Sequence, residues 1–391
     1  MSSFVFHQKR WNGVARQALM FSCLGLATAC GDVSLPDPRA LAARAQPLVA
    51  PGAAAGQPVS TLVGSTAYLR LRHTATRLND GQVLVVGGYS RTAEVFDAGS
   101  GTWSTVGAPV ATHRAHTATL LPDGTVLVAG GAKASSASVD EVYDPVQGQW
   151  SRTGRMSTVR YDHTATLLPD GRVLVVGGGT GESSGTTLDS AELYDPATRE
   201  WTATGSLLAA RRNHTLTLLP GVGVLVTGGL GAEGDPLASA ELYDFASGTW
   251  TSVGSLETPR SAHSATRLED GRVLVVGGLT EESWLGASTE LFDPATSSWS
   301  PAGSLESPRQ NHSATLVKGG VLITGGYHHQ AGIQASAELY VPGVGWNAWA
   351  PLNVDRYKHT ATVLDESTVL FVGGYSNLDV SATTSELYSQ P

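Results

Sequence analysis

Seven histidines head near-identical segments of the chain: His73, His116, His163, His214, His263, His312 and His359. Each is followed by Thr or Ser and then a short apolar run, as in HTATLL at 163–168. Six have an arginine three residues earlier: Arg70, Arg160, Arg211, Arg260, Arg309 and Arg356. In the second copy His113 takes that place, with Arg114 beside it. One glutamate recurs per copy: Glu94, Glu141, Glu192, Glu241, Glu290, Glu338 and Glu386. Imidazoles could bind a metal or form a catalytic set, and guanidiniums could hold a carboxylate or sulfate. The multiplicity points elsewhere. Catalysis rarely needs seven equal copies of one residue, whereas a structural ring does. No carboxylate accompanies the histidines at a metal-ligand spacing, so no metal and no cofactor are expected. The histidines are expected to hydrogen-bond across neighbouring strands or blades. The arginines and glutamates are expected to pair, because a buried charge left alone costs several kcal/mol. The functional alternative keeps Arg160, Arg211, Arg260, Arg309 and Arg356 as part of a crown around a central channel, able to bind an anion.

The elements that position these residues follow from the repeat. Glycine pairs close an apolar run at 87–88, 130–131, 177–178, 228–229, 277–278, 325–326 and 373–374, spaced 43 to 51 residues apart. Each copy reads as four short strands. Strand A follows the His. A turn, Asp-Gly in four copies, leads to strand B, which is apolar on both faces and so buried on both. Strand C is AELYD-like, and strand D begins at a tryptophan: Trp103, Trp150, Trp201, Trp250, Trp299, and Trp346 or Trp349. Four strands in a unit of this length make a propeller blade. The order Gly-Gly, then Tyr or Phe, then Trp resembles the Kelch repeat over residues 58–391. That resemblance implies an all-β, seven-bladed β-propeller and, at the level of the fold alone, an interaction platform. The last copy stops after strand C. The segment VSTLVGS at 59–65 stands before His73 as WSTVGA stands before His116. Residues 58–65 are therefore expected to supply the missing strand D and close the ring, with Ser60 in the tryptophan's place.

The 391 residues carry a formal net charge of −9, which argues against a nucleic-acid partner. Residues 1–29 read as a lipoprotein-type signal peptide, with Lys9, Arg10 and Arg16 before an apolar stretch. LATAC places small residues before Cys30, which resembles a lipobox with Cys30 as the lipidated residue. The other possibility is ordinary cleavage after Ala29 and a secreted protein. Residues 30–57, rich in Pro, Ala and Gly, read as a flexible tether. The expected location is the bacterial cell envelope, at the outer membrane, through an N-terminal lipid. Nothing in the pattern suggests an oligomer, so a monomer is expected.

The loops between strands B and C share a face with the Arg-x-x-His connectors and depart most from the repeat. Trp284, Tyr327, His328, His329, Tyr89 and Tyr375 stand out there as candidate ligand contacts. The expected function is binding of an envelope protein, peptide or glycan through that face, with no catalytic residue assigned. Two alternatives stay open. One is a propeller enzyme resembling a glycan hydrolase, using the arginine-lined channel with Glu282, Asp235 or Tyr327. The other is a structural spacer. Copper oxidases of the galactose oxidase type need a Tyr cross-linked to a Cys, and no Cys follows Cys30. No Asp-box of the sialidase kind occurs.

Overall fold

The computed structural model describes residues 58–131, 139–181, 185–280, 286–377 and 383–389. They fall within the second of two compact units of the chain, Ala45–Pro391. The signal and tether assigned to 1–29 and 30–57 lie outside the described residues, as do Cys30, Trp284 and Glu282. Among the described residues there is no α-helix. The chain forms seven four-stranded antiparallel blades in a ring.

Blade 1 shows the plan: strand A Thr74–Arg77, B Val83–Val86, C Ala93–Asp97, D Thr102–Val106. Strand B is buried in every blade apart from Thr368 at the start of the seventh, as its apolar run requires. The innermost strands A of consecutive blades touch all the way round, including blade 1 with blade 7. The seventh blade takes its strand D from the N-terminal side, as expected. Val59–Val63 pairs antiparallel with Ser385–Ser389, in the register Val59↔Ser389 to Val63↔Ser385.

Three hydrogen-bond rings hold the blades together. In the first, the second glycine of each pair donates its N–H to the backbone carbonyl of the Arg or His113 in the next blade's connector. The bonds run from Gly88→His113 through Gly131→Arg160, Gly178→Arg211, Gly229→Arg260, Gly278→Arg309 and Gly326→Arg356 to Gly374→Arg70, at 2.8 to 2.9 Å. Glycine is needed because a Cβ on Gly87 would lie 2.3 Å from the His113 carbonyl oxygen, and one on Gly373 would lie 2.4 Å from that of Arg70.

The second ring explains the seven histidines. Each Nε2 meets the hydroxyl that follows the His of the preceding blade: Thr74–His116, Thr117–His163, Thr164–His214, Thr215–His263, Ser264–His312, Ser313–His359 and Thr360–His73. The third ring is backbone alone. The residue just before each His has a positive φ, from 52° to 56°, although none of the seven is glycine. Six of them donate N–H to the same position of the preceding blade, from Ala115→Arg72 to Lys358→Asn311.

Candidate functional site

The arginines belong to the frame. Each guanidinium is buried and bonds the glutamate of its own blade, as in Arg70–Glu94 at 2.6 Å and Arg356–Glu386 at 2.5 Å. Arg160, Arg211, Arg260 and Arg309 do the same with Glu192, Glu241, Glu290 and Glu338 at 2.6 to 2.9 Å. Each also donates to the carbonyl of the first glycine of the pair, for example Arg260 Nη1 to Gly277 at 2.8 Å. The glutamates in turn accept backbone N–H groups of the incoming connector, such as Glu290 from Glu257 and Thr258. The expected Arg–Glu pairing is present, and the alternative of these arginines as an anion-binding crown around the channel is corrected. None of these guanidiniums reaches solvent, because pairing with Glu inside the blade satisfies charges that burial would otherwise make costly.

The seven ring histidines are likewise committed. Burial drives their pKa values far below the ordinary 6.5, to about 3 for His73, His163 and His312. Each sits in its own seam with Nε2 on a hydroxyl. No group of three or more His, Cys, Asp or Glu among the described residues is arranged to hold a metal.

The residues free to vary on this frame form the mouth of the ring. Tyr327 of blade 6 packs on Tyr357 of blade 7, ring centres 5.6 Å apart. Tyr357 stacks on Tyr375 at 4.9 Å and 25°. The Tyr375 hydroxyl meets that of Tyr89 in blade 1 at 3.2 Å. The Arg114 guanidinium of blade 2 lies 4.5 Å over the Tyr89 ring. The row therefore crosses four consecutive blades. Tyr89 is half exposed. Burial, helped by the Tyr89 hydroxyl, pushes the Tyr375 phenol up to about 12, so it keeps its proton at neutral pH. Lys358 Nζ lies 5.9 Å over Tyr357. Across the mouth, Arg72 of blade 1 pairs with Asp162 of blade 3, passing the small Ala115 of blade 2.

Of the residues singled out in sequence, Tyr89, Tyr327 and Tyr375 are brought together. His328 and His329 lie on a small hairpin that begins at Tyr327, their rings 5.8 Å apart. His328 Nδ1 accepts the N–H of Ala331, which ties it to the hairpin turn. Asp235 sits on the B–C loop of blade 4, exposed and two blades from Tyr327. Sequence reasoning missed Tyr357, Arg114, Arg72, Asp162 and Lys358. The available signal was the changing x-x within a fixed Arg-x-x-His motif. Those positions differ from blade to blade while their flanks do not.

With this geometry in hand, the comparisons are direct. The chain belongs to the Kelch-repeat family: the model of the KLHDC2/KLHL20/DRC7 Kelch-repeats domain matches residues 162–374, more than half of its length. No curated protein matches the chain. Among solved structures, it is similar to one described as a novel fungal alcohol oxidase with catalytic diversity among the AA5 family, in complex with copper. The TM-score is 0.69 at 18% identity, over 86% of this chain and 77% of that one. It is also similar to YjhT, with a TM-score of 0.57 at 16% identity, over 73% of this chain and 99% of that one. Identities this low show the shared fold. Among the described residues no donor set is arranged for such a copper: each ring imidazole is held in a separate seam, and no Cys follows Cys30.

Proposed function

We propose that this protein is an exported, lipid-anchored Kelch propeller that binds a partner protein or peptide through the face bearing the B–C loops. The observation that carries the reading is the tyrosine row. Tyr327, Tyr357, Tyr375 and Tyr89, ending at Arg114, replace variable positions of an otherwise repeated frame with side chains that touch one another. Rigid aromatic surface with polar tips is what binding sites on loops tend to use. The contacts also favour a peptide over a stacked sugar. Tyr357 and Tyr375 cover each other's faces and Arg114 covers Tyr89, so ring edges and hydroxyls are presented rather than open faces.

The chain's route fits an anchored platform. Strand D of blade 7 starts at Val59, opposite Ser389, the end of strand C. Strand C ends at the face away from the tyrosine row. The described chain therefore enters the propeller on the face away from the tyrosine row. Replacing Cys30 by Ser should release the protein from the membrane fraction; continued sedimentation with membranes would refute the anchor.

The test of binding compares the mature protein with the double variant Tyr89→Ser/Tyr375→Ser. Envelope extract from the source cell is passed over each, and a retained partner is then purified and titrated. The variant is expected to bind that partner about tenfold or more weakly, the loss of a central aromatic contact. Equal affinity would move the site to another surface, and no partner at all would leave the spacer reading.

A further inference from the structure

We propose that Tyr89 and Tyr375 form an oxidative cross-linking site, where a one-electron oxidant of the haem peroxidase class, with hydrogen peroxide as final acceptor, joins the two rings as dityrosine. Their hydroxyl oxygens lie 3.2 Å apart, one on blade 1 and the other on blade 7. A phenol couples through the ring carbons next to the one that bears the hydroxyl. Hydroxyls in contact bring these carbons of the two rings to within a ring rotation of each other. Tyr89 is 51% exposed, so its ring has room to turn and an oxidant reaches it from solvent.

The surroundings favour these two rings as the point of attack. Sulfur is the usual competitor for an oxidant. Among the described residues the only sulfur is that of Met156, which is buried. Tyr357 stacks on Tyr375 at 4.9 Å, and Tyr327 packs on Tyr357 at 5.6 Å, so an electron vacancy on Tyr375 has aromatic neighbours to share it. The Arg114 guanidinium, 4.5 Å over the Tyr89 ring, opposes a radical cation there. It does not oppose a neutral radical, which is what a phenol becomes when its proton leaves with the electron. Tyr89 gives its proton to water, and the hydroxyl contact offers the Tyr375 proton the same way out.

Each phenol loses one electron and one proton. The two phenoxyl radicals then pair their electrons in one new bond between ortho carbons. Each of those carbons passes its hydrogen to the oxygen of its own ring, which restores both phenols. The net loss of two hydrogen atoms is taken up by one hydrogen peroxide, whose O–O bond breaks to give two waters. The new bond ties residues 286 positions apart and restricts the unfolded chain as a disulfide across a long loop does. It also acts where the ring lacks covalent continuity. Strands C and D of blade 7 are held together by the pairing of Val59–Val63 with Ser385–Ser389. Tyr375 follows strand B of that blade. Once it is joined to blade 1, release of Val59–Val63 no longer opens the ring. None of this rests on the binding function proposed above.

The experiment treats the unliganded protein with a haem peroxidase and hydrogen peroxide, then follows dityrosine fluorescence, peptide masses and denaturant unfolding. The monomer is expected to lose two hydrogen atoms and to yield a cross-linked peptide pair containing Tyr89 and Tyr375. The cross-linked monomer should unfold at a higher denaturant concentration than the untreated protein. Tyr89→Phe and Tyr375→Phe each keep the aromatic ring but have no phenol to oxidise. Each should lose the intramolecular product, whereas Tyr327→Phe should keep it. Absence of that product in the parent, its persistence in either of the first two variants, or joining only between molecules would overturn the proposal. An unchanged unfolding midpoint in the cross-linked monomer would overturn its ring-closing role.

Discussion

Arg260 donates through Nη1 to two carbonyl oxygens, those of Gly277 and Ser288, and through Nη2 to the Ser288 hydroxyl and the Glu290 carboxylate. A single side chain thus ties the exit of strand B to the start of strand C, and its partner Glu290 clamps the connector. Arg260→Ala would leave that carboxylate buried without a counter-ion. We expect a loss of about 3–5 kcal/mol, measured by denaturant unfolding, and a smaller loss when Glu290 is replaced by Gln in the same protein. A loss below about 1 kcal/mol in the single variant would mean that the pair is not part of the frame. The pairing was legible in sequence because Glu keeps a fixed place in every copy and Arg does so in six of the seven. The mouth was not. Its left-handed positions are Arg72, Ala115, Asp162, Asn213, Ala262, Asn311 and Lys358, and no glycine marks them. Neighbouring backbone, through the ring of N–H to carbonyl bonds, imposes a conformation that local sequence would not choose.

At the scale of the element, the tryptophans show how one irregular blade is accommodated. In six seams the indole of strand D packs against the preceding blade. Its N–H reaches a carbonyl there, as in Trp150 to Gly107 and Trp346 to Ala302. The seam between blades 6 and 7 has Ser60 in that place. Trp349, from the end of blade 6's own strand D, packs into that core instead, beside Tyr388. The Tyr388 hydroxyl donates to Ala350 at 2.8 Å, the bond an indole would have made. Sequence left Trp346 and Trp349 as alternatives for one role; the structure gives them two. Trp346 is the strand D residue paired with Tyr340, and Trp349 fills the neighbouring seam. We expect Trp349→Ala to cost about 3–5 kcal/mol, comparable with Trp250→Ala, although only the latter belongs to the repeat. Thermal or denaturant melts of the two variants would show it. A much smaller effect for Trp349 would mean that Tyr388 alone closes the seam.

For the whole molecule, the second hydrogen-bond ring sets the response to acid. Desolvation lowers the pKa of His73, His163 and His312 to about 3, and moves His116, His214, His263 and His359 well below 6.5. These rings stay neutral when folded but take up protons once unfolded. Their contribution is therefore fully present above pH 6.5 and is lost as pH falls from there toward about 3. Each such group costs about 1.4 kcal/mol per pH unit in that window. Seven acting together should give an acid transition far steeper than a one-proton process. Unfolding followed by circular dichroism between pH 7 and 4 would test it. A slope of one or two protons would show that the ring histidines are not neutral in the folded state.

The glycine-to-carbonyl ring and the histidine ring have the same bond at every seam, including the one between blade 7, which the N-terminal strand completes, and blade 1. A closed cycle has no privileged place to be cut. The gap between Ser389 and Val59 is topologically one of seven equivalent C–D hairpins, and the other six happen to be covalently continuous. A circular permutant that joins residue 389 to residue 59 through a short turn, and opens the chain instead at Gly248 between strands C and D of blade 4, should fold to the same propeller.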